Sequence, residues 1–284
     1  MSETLRGASP PEVVRLAAMA DIHVSKSGQN ALQTLLNQVA EQADVLAIAG
    51  DLTDYGQLDE ARVLAHELSA TFKKPVVAVL GNHDHEFGQQ EEIKTILCDA
   101  GVYVLDGEVC EVLGVGFAGV KGFGGGFDSH SLAPWGEKMI KRFVHEAVEE
   151  ALRLEAALAR LHQSQRVALM HYAPIRATVE GEPLEIFPFL GSSRLEEPLA
   201  RHPVQVALHG HAHHGQPEGH TASGIPVYNV AVPVLRAAYP DRPPFRLIEL
   251  RNTRPPSASA QSLAESAGNS LAEPSAEPSA VAER

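Results

Sequence analysis

The chain has 284 residues and a formal net charge of −13, and these two figures already exclude several classes of protein. Its length supports one domain with a sizeable core, and a hydrophobic content of 44% is ordinary for a globular protein. The acidic balance disfavours a general nucleic-acid-binding surface, because such a surface needs clustered Lys and Arg. No stretch approaches the about 20 apolar residues that span a bilayer, and the amino terminus lacks a secretory signal pattern. We therefore expect a cytoplasmic protein without a membrane partner.

Apolar runs alternate with helical periodicities along the first hundred residues. In chain order, the patterns predict strands at 13–20, 45–49 and 75–80 and helices at 29–43, 59–70 and 90–100. Strands that alternate with helices in this way are typical of βαβ units. We therefore expect a parallel sheet.

The second half of the chain continues with shorter strands around one long helix. The patterns predict strands at 102–105, 109–113, 115–120, 167–170, 204–208, 227–230 and 245–250, a helix at 134–161 and a turn at Pro233. Four glycines in residues 122–126 leave two interpretations open, a phosphate cradle and, more in keeping with the spacing, a flexible loop. Cys98 and Cys110 form no recognisable pair and are expected to be reduced core residues.

Composition divides the chain into three parts. Residues 1–12 are expected to form a flexible leader, and residues 13–252 a single catalytic domain. Residues 253–284 are rich in Ser, Ala, Pro and Glu and have almost no large apolar side chains. Such a segment buries too little apolar surface to offset the entropy of ordering, so we expect a disordered tail.

Polar residues with metal, proton or hydrogen-bonding chemistry follow five of the predicted strands. These residues are Asp21 and His23, then Asp51, then Asn82, His83 and Asp84, then His171, and finally His211 and His213. The segment Gly81–Asp84 taken alone could equally be a polar turn. In an open α/β sheet, however, ligands bind at the carboxyl ends of the strands, so five such ends predict one cluster. Divalent ions suit it, because carboxylate and imidazole together bind Mn, Fe or Zn.

The order of these blocks resembles the motif pattern of the calcineurin-like metallophosphoesterases, in particular their bacterial-type phosphodiesterase branch. The blocks D-x-H, G-D, G-N-H-D, H and G-H-x-H stand here as Asp21-Ile22-His23, Gly50-Asp51, Gly81-Asn82-His83-Asp84, His171 and Gly210-His211-Ala212-His213. The resemblance covers roughly residues 14–250. It implies an α/β fold, a four-layer α/β/β/α sandwich with a dinuclear metal site at the carboxyl ends of the strands.

The resemblance also implies a role for each matched residue. One metal ion falls to Asp21, His23, Asp51 and His213, and the second to Asp51, Asn82, His171 and His211. The implied cofactors are two divalent or trivalent ions (Mn, Fe or Zn), which Asp51 bridges, and a bridging hydroxide is the implied nucleophile. His83 and Asp84 are the implied catalytic residues: His83 is expected to stabilise charge on the phosphate or to protonate the leaving oxygen, and Asp84 is expected to accept a hydrogen bond from His83. His85, His209 and His214 receive no role.

The implied activity is hydrolysis of a small-molecule phosphate ester, with a phosphodiester favoured. A phosphomonoesterase and a nuclease of the same fold remain alternatives, the latter disfavoured by the negative charge. A catalytically silent scaffold is a further alternative, although such scaffolds should have lost ligands and every ligand position is filled here. The sequence determines neither the physiological substrate nor the oligomeric state.

Overall fold

The computed structural model describes residues 10–28 and 32–252, and every structural statement below concerns these two ranges. Most of the expected leader (residues 1–9) and all of the expected tail (residues 253–284) lie outside them. The strands are β1 (Val13–Met19), β2 (Val45–Ala49), β3 (Val76–Val79), β4 (Val102–Val104), β5 (Val109–Val112), β6 (Val115–Gly119), β7 (Gln165–Leu169), β8 (Val206–His209), β9 (Glu218–His220), β10 (Pro226–Asn229) and β11 (Arg246–Arg251).

The helices join these strands in the order that the sequence predicts for the first half of the chain. They are α1 (Gln33–Gln42), α2 (Leu58–Thr71), α3 (Gln90–Asp99), α4 (Lys138–Ala159), α5 (Phe187–Leu190), α6 (Glu196–Arg201) and α7 (Val232–Ala238). Within the described ranges, no helix combines the length and apolar character that crossing a bilayer requires.

The strands form two sheets. The first has the order β11-β1-β2-β3-β4, with β11 antiparallel to β1 and the other pairs parallel. The second has the order β5-β6-β7-β8-β10-β9, with parallel inner strands and antiparallel strands at both edges. The inner strands of both sheets therefore end at a common edge, where Ala20 forms a bridge with Ala231.

The two sheets and the helices outside them form four layers. Successive side chains along a strand point alternately to the other sheet and to the helices. In β1, Leu16 and Ala18 face the second sheet, whereas Ala17 and Met19 face helices α1 to α3. Helices α4 and α6 cover the outer face of the second sheet, with Leu158 and Leu199 in the same apolar cluster. Strands buried on both faces read as continuous apolar runs, as β2 does. The expected α/β/β/α sandwich is thus confirmed.

Several boundaries differ from the prediction for local reasons. The long helix begins at Lys138 rather than residue 134, because Gly136 adopts a left-handed φ of +74° that an α-helix cannot contain. The predicted turn at Pro233 is instead the first turn of α7, a position that proline tolerates. Strand β9 and helices α5 and α6 are too short to show a period and were not predicted.

The prediction that both cysteines lie in the core was wrong for Cys98, which is exposed, while Cys110 is half-buried.

Candidate metal centre

The carboxyl ends of the inner strands bring all seven predicted metal ligands together at one edge of the sandwich. Two groups of side chains each place one donor atom per residue within 4.8 Å of one another. The first group is Asp21, His23 and His213, and the second is Asp51, His171 and His211. The seventh residue joins the second group, since Asn82 Oδ1 lies 2.8 Å from His171 Nε2.

Asp51 lies between the two groups. Its Oδ1 is 3.3 Å from His171 Nε2, and its Oδ2 is 3.9 Å from His23 Nε2. The residue is almost completely buried, with 1% of its surface exposed. A carboxylate has two oxygens that can each accept a partner. The two oxygens of Asp51 therefore face different groups, which is the arrangement that a bridging ligand requires.

Backbone carbonyls orient two of the histidines. His171 Nδ1 donates to the Ala49 carbonyl at 2.9 Å, so Nε2 faces Asp51. His211 Nε2 donates to the Phe189 carbonyl at 3.1 Å, which leaves Nδ1 as its free ring nitrogen. Metal-ligating histidines commonly donate their second nitrogen in this way, and the hydrogen bond fixes both the tautomer and the ring orientation.

Four of the predicted ligands have strained backbones. Asp21, His23, Asp51 and His211 have φ values of 57°, 42°, 49° and 71°. Residues other than glycine rarely adopt this left-handed region, and such strain concentrates at functional sites. The strain occurs directly after the strands and redirects the chain where each ligand is placed. The fold thus maintains an unfavourable local conformation at these strand ends.

The motif glycines are explained by close packing between neighbouring strand ends. A Cβ atom at Gly81 would overlap the backbone nitrogen and the carboxylate of Asp51, and one at Gly210 would overlap the carboxylate of Asp21. No side chain fits at either position. These glycines therefore allow the ligand carboxylates to lie against the adjacent loop.

Burial and charge set the protonation of the cluster. Burial alone would raise the pKa of Asp51, but attraction to His171 outweighs it and holds that pKa below its ordinary range. Burial alone would lower the pKa of His171, but Asp51 raises it to about 9. Burial, reinforced by His171, lowers the pKa of His211 to about 4, so this ring is neutral at pH 7. The mixed carboxylate, imidazole and amide donors fit transition-metal ions such as Mn, Fe or Zn.

Asp84 does not make the contact that was expected of it. The side chain is fully buried and accepts hydrogen bonds from Gly81 N at 2.8 Å, Leu52 N at 3.1 Å, and Thr53 N and Oγ1 at 2.8 and 2.6 Å. The predicted hydrogen bond from His83 to Asp84 is therefore wrong, because the carboxylate faces inward and joins the loops after β2 and β3. Burial and the charge of Asp51 raise the pKa of Asp84 to about 6, against the opposing effect of its donors.

Asp54 supplies the contact instead, and the sequence did not single it out. His83 Nδ1 lies 2.6 Å from the Asp54 carbonyl, to which it donates. The Asp54 carboxylate Oδ1 lies 3.8 Å from Nδ1 of His23. These three residues form a third group whose donor atoms lie within 4.8 Å of one another. The contact with His83 runs through a backbone carbonyl, which any residue type supplies, so the sequence carries no signal for it.

The glycine-rich loop is not a phosphate cradle. The amide of Gly122 donates to the Glu150 carboxylate, that of Gly125 to the Pro188 carbonyl, and that of Gly126 to the Gly191 carbonyl. These amides are already bonded to protein oxygens and are not free to bind an anion. The loop instead packs helix α5 against the domain.

Lys121 places a positive charge beside Phe123 and Tyr172. Its Nζ lies 4.9 Å from the centre of the Phe123 ring and 5.2 Å from that of Tyr172. The Tyr172 ring lies 4.4 Å from the His211 ring. Burial lowers the pKa of Lys121, although Glu150 opposes this.

His209 is fully buried, and both of its ring nitrogens are hydrogen-bonded, to Gly210 O and Thr178 Oγ1.

Comparison with solved structures finds one with a similar fold and little sequence identity, and two that score lower. The crystal structure of phosphopantetheinyl hydrolase from Mycobacterium tuberculosis has a TM-score of 0.59 and 17% identity, covering 82% of this chain and 95% of that chain. The protein TT1561 from Thermus thermophilus has a TM-score of 0.48 and 14% identity, covering 85% and 100%. A Staphylococcus aureus protein described as a candidate 5′-nucleotidase has a TM-score of 0.47 and 15% identity, covering 76% of this chain and 48% of that chain. At these identities the likeness concerns the fold alone.

The sequence comparisons separate the family from individual relatives. No curated protein matches the chain significantly. The family model of the calcineurin-like phosphoesterases, however, matches residues 14–215. The matched range contains every strand end that contributes to the cluster, from Asp21 to His213. The chain is therefore a member of the calcineurin-like phosphoesterase family.

Proposed function

We propose that the protein is a phosphoesterase that uses two metal ions to hydrolyse a small phosphate ester, with phosphodiesters as the first substrate class to test. Membership of the family supports phosphate-ester hydrolysis. The observation that carries the two-metal proposal is the position of Asp51, whose two oxygens lie 3.3 and 3.9 Å from histidines of different groups. This position is the reason for assigning two ions rather than one.

The proposed ligand sets are those that the resemblance implies. Asp21, His23, Asp51 and His213 would hold one ion, and Asp51, Asn82, His171 and His211 the other. Two such ions act as Lewis acids on a phosphoryl group and generate a nucleophile from water at neutral pH. The backbone carbonyls of Ala49 and Phe189 support this assignment, because they orient the histidine rings toward the centre.

His83 is the proposed proton donor to the leaving oxygen. Its ring lies 4.6 Å from that of His23, yet 35% of its side chain remains exposed to solvent. Because Nδ1 donates to the Asp54 carbonyl, Nε2 is the nitrogen that can hold a proton toward a substrate. A positioned acid of this kind contributes about 10²–10⁴-fold to a rate.

Asp84 is proposed to act indirectly. Its carboxylate binds the amides of Gly81, Leu52 and Thr53 and so keeps the loops that carry Asp51 and His83 in register. The backbone nitrogen of His83 in turn donates to Asp51 Oδ1 at 2.9 Å. Asp84 is therefore a positioning residue, two contacts away from the proposed chemistry.

The alternatives are separated by specific observations. A catalytically silent scaffold is disfavoured because all seven ligand positions are filled and gathered. A nuclease is disfavoured by the net charge of −13, since phosphate backbones are bound by clustered cations. A monoesterase would use the same metal centre, and only a comparison of substrates distinguishes it from a diesterase.

The test is hydrolysis of paired aryl phosphodiester and aryl phosphomonoester substrates by protein stripped with a chelator and then reloaded with Mn²⁺. We expect turnover only after reloading, about two ions per chain by elemental analysis, and a higher kcat/KM on the diester. A stoichiometry of one ion at full activity would contradict the bridging role of Asp51. No turnover of either ester by the reloaded protein would favour the scaffold, and cleavage of DNA alone would favour the nuclease.

A further inference from the structure

Exposed apolar side chains occur in two segments that meet through the rings of Phe143 and Phe189. They form what we call the rim surface: Trp135, Met139, Ile140, Leu184, Ile186 and Phe189. Trp135 and Met139 expose 69% and 70% of their surface, and Phe189 exposes 57%. Single exposed apolar residues are normal on a protein, whereas a concentration of large ones marks an interaction site.

The turn before α4 and the first turn of α4 supply half of this surface, since residues 133–142 are all exposed. The first buried residue of the helix is Val144, six positions after its beginning at Lys138. At about 1.5 Å per residue, the helix thus rises roughly 9 Å before it contributes a fully buried side chain. Phe143 anchors this segment, because its ring packs on the rings of Phe123 and Phe189.

The same segment is basic on an acidic protein. Lys138, Lys141 and Arg142 are all exposed there, with Glu137 as the one acidic residue between positions 135 and 142. The chain as a whole carries a charge of −13. Cationic side chains are thus placed beside Trp135, Met139 and Ile140, a combination typical of helices that lie in the interface of a membrane.

The rim surface also adjoins the site. The Phe189 carbonyl accepts the hydrogen bond from His211 Nε2, and the Phe189 ring lies 5.8 Å from that of Phe143. A molecule seated on the rim surface would therefore lie at the edge of the cluster that contains His211.

We propose that the rim surface docks on an anionic lipid bilayer, with the apolar side chains among the lipid chains and the basic ones at the headgroups. Charge complementarity selects this occupant. Lysine is depleted from the cores of protein interfaces, whereas each Lys or Arg near an anionic membrane surface strengthens binding about fivefold. The sequence-based expectation of no membrane partner rested on the lack of a membrane-spanning segment, and binding at the membrane surface requires no such segment.

The test uses the one tryptophan of the chain, Trp135, as the probe. The full chain is titrated with vesicles of phosphatidylcholine alone and with vesicles of equal parts phosphatidylcholine and phosphatidylglycerol. We expect a blue shift of Trp135 emission and co-sedimentation with the anionic vesicles only, both reversed by high salt because the attraction between charges is screened.

Two double variants separate the apolar contribution from the basic one. Lys138→Gln with Lys141→Gln should weaken partition into anionic vesicles about twenty-five-fold, since each lysine contributes about fivefold. Met139→Ser with Ile140→Ser should abolish the blue shift while retaining the probe. The matched controls are Leu152→Ser, which changes a residue 58% exposed further along the same helix, and Arg62→Gln, which removes an exposed cation elsewhere.

Unchanged Trp135 emission with both kinds of vesicle would overturn the proposal and leave a protein partner as the occupant. Equal binding of the Lys138→Gln, Lys141→Gln variant and the wild type would overturn it as well. Vesicle binding is measured without turnover, so failure of this test leaves the proposed hydrolysis intact. An inactive protein that still binds anionic vesicles would contradict the proposed function alone.

Discussion

The metal centre and the rim surface are neighbours, but they are built in opposite ways. Around the candidate metal centre, Asp51 and His171 are buried, the backbones of four proposed ligands are strained, and Gly81 has no room for a side chain. On the rim surface, Trp135 and Met139 are mostly exposed, and the first turns of α4 contribute no buried residue. The surrounding packing fixes the conformation of the candidate metal centre. Few contacts restrict the exposed side chains of the rim surface.

The difference fits the role proposed for each region. Donor atoms that share metal ions must be held within a few tenths of an ångström, so they are placed on strand ends that the core keeps rigid. A surface that meets a fluid or variable partner needs exposed area and charge rather than exact positions. Substitutions in the first region should therefore affect metal binding, catalysis or folding, whereas substitutions in the second should affect association alone.

The largest effect is expected for Asp51→Asn. An amide is a poor bridge and leaves two cations less neutralised, so both ions should be lost and turnover should fall by more than the roughly 10²–10⁴-fold worth of a single acid or base. Elemental analysis and kcat on an aryl phosphodiester measure this. Asp128→Asn is the matched control, because Asp128 also has a left-handed φ of 53° but is exposed. Full metal content in Asp51→Asn would contradict the bridging role.

His83→Ala should slow turnover by about 10²–10⁴-fold while both ions stay bound, because the residue lies outside the proposed ligand sets. The defect should be smaller on an aryl ester than on an alkyl ester, since an aryl leaving group needs little protonation. The exposed His145 provides the control variant His145→Ala. Equal defects on both esters would indicate charge stabilisation instead of proton donation, and an emptied metal site would show that the ligand assignment is wrong.

Asp84→Asn should reduce stability more than Asp54→Asn does. An amide at position 84 would direct its NH2 group toward backbone N–H donors, and each buried unsatisfied group costs about 1–3 kcal/mol. The Asp54 side chain is one-third exposed, and its contact with His83 runs through the backbone carbonyl, which the substitution retains. Chemical denaturation of both variants measures the free energies of unfolding. The reverse order would contradict the structural role assigned to the Asp84 carboxylate.

The smallest effect is expected on the rim surface. Met139→Ser with Ile140→Ser should change the free energy of unfolding by less than about 0.5 kcal/mol, the usual range for exposed positions. Turnover of a water-soluble aryl phosphodiester in vesicle-free buffer should equal that of the wild type. A clear loss of stability would mean that these side chains pack within the protein, and the contrast between the two regions would then fail.

The sequence alone predicted the alternating strands and helices and the polar residues that follow the strands. Parallel strands of one sheet end at one edge, so Asp21, Asp51 and Asn82 could be placed together from their positions relative to their own strands. His171, His211 and His213 follow strands of the second sheet. Only the resemblance to the family implied that the two sheets bring their strand ends together.

Tertiary structure decided everything that depends on how the loops between strands meet. The inward direction of Asp84 and the contact of His83 with the Asp54 carbonyl depend on the packing of loops about 30 residues apart, for which no local pattern exists. The rim surface depends on where α5 meets α4, through Phe143 and Phe189, 46 residues apart. Whether a side chain is exposed depends on which distant segment packs against it, so a single stretch of sequence cannot specify its exposure.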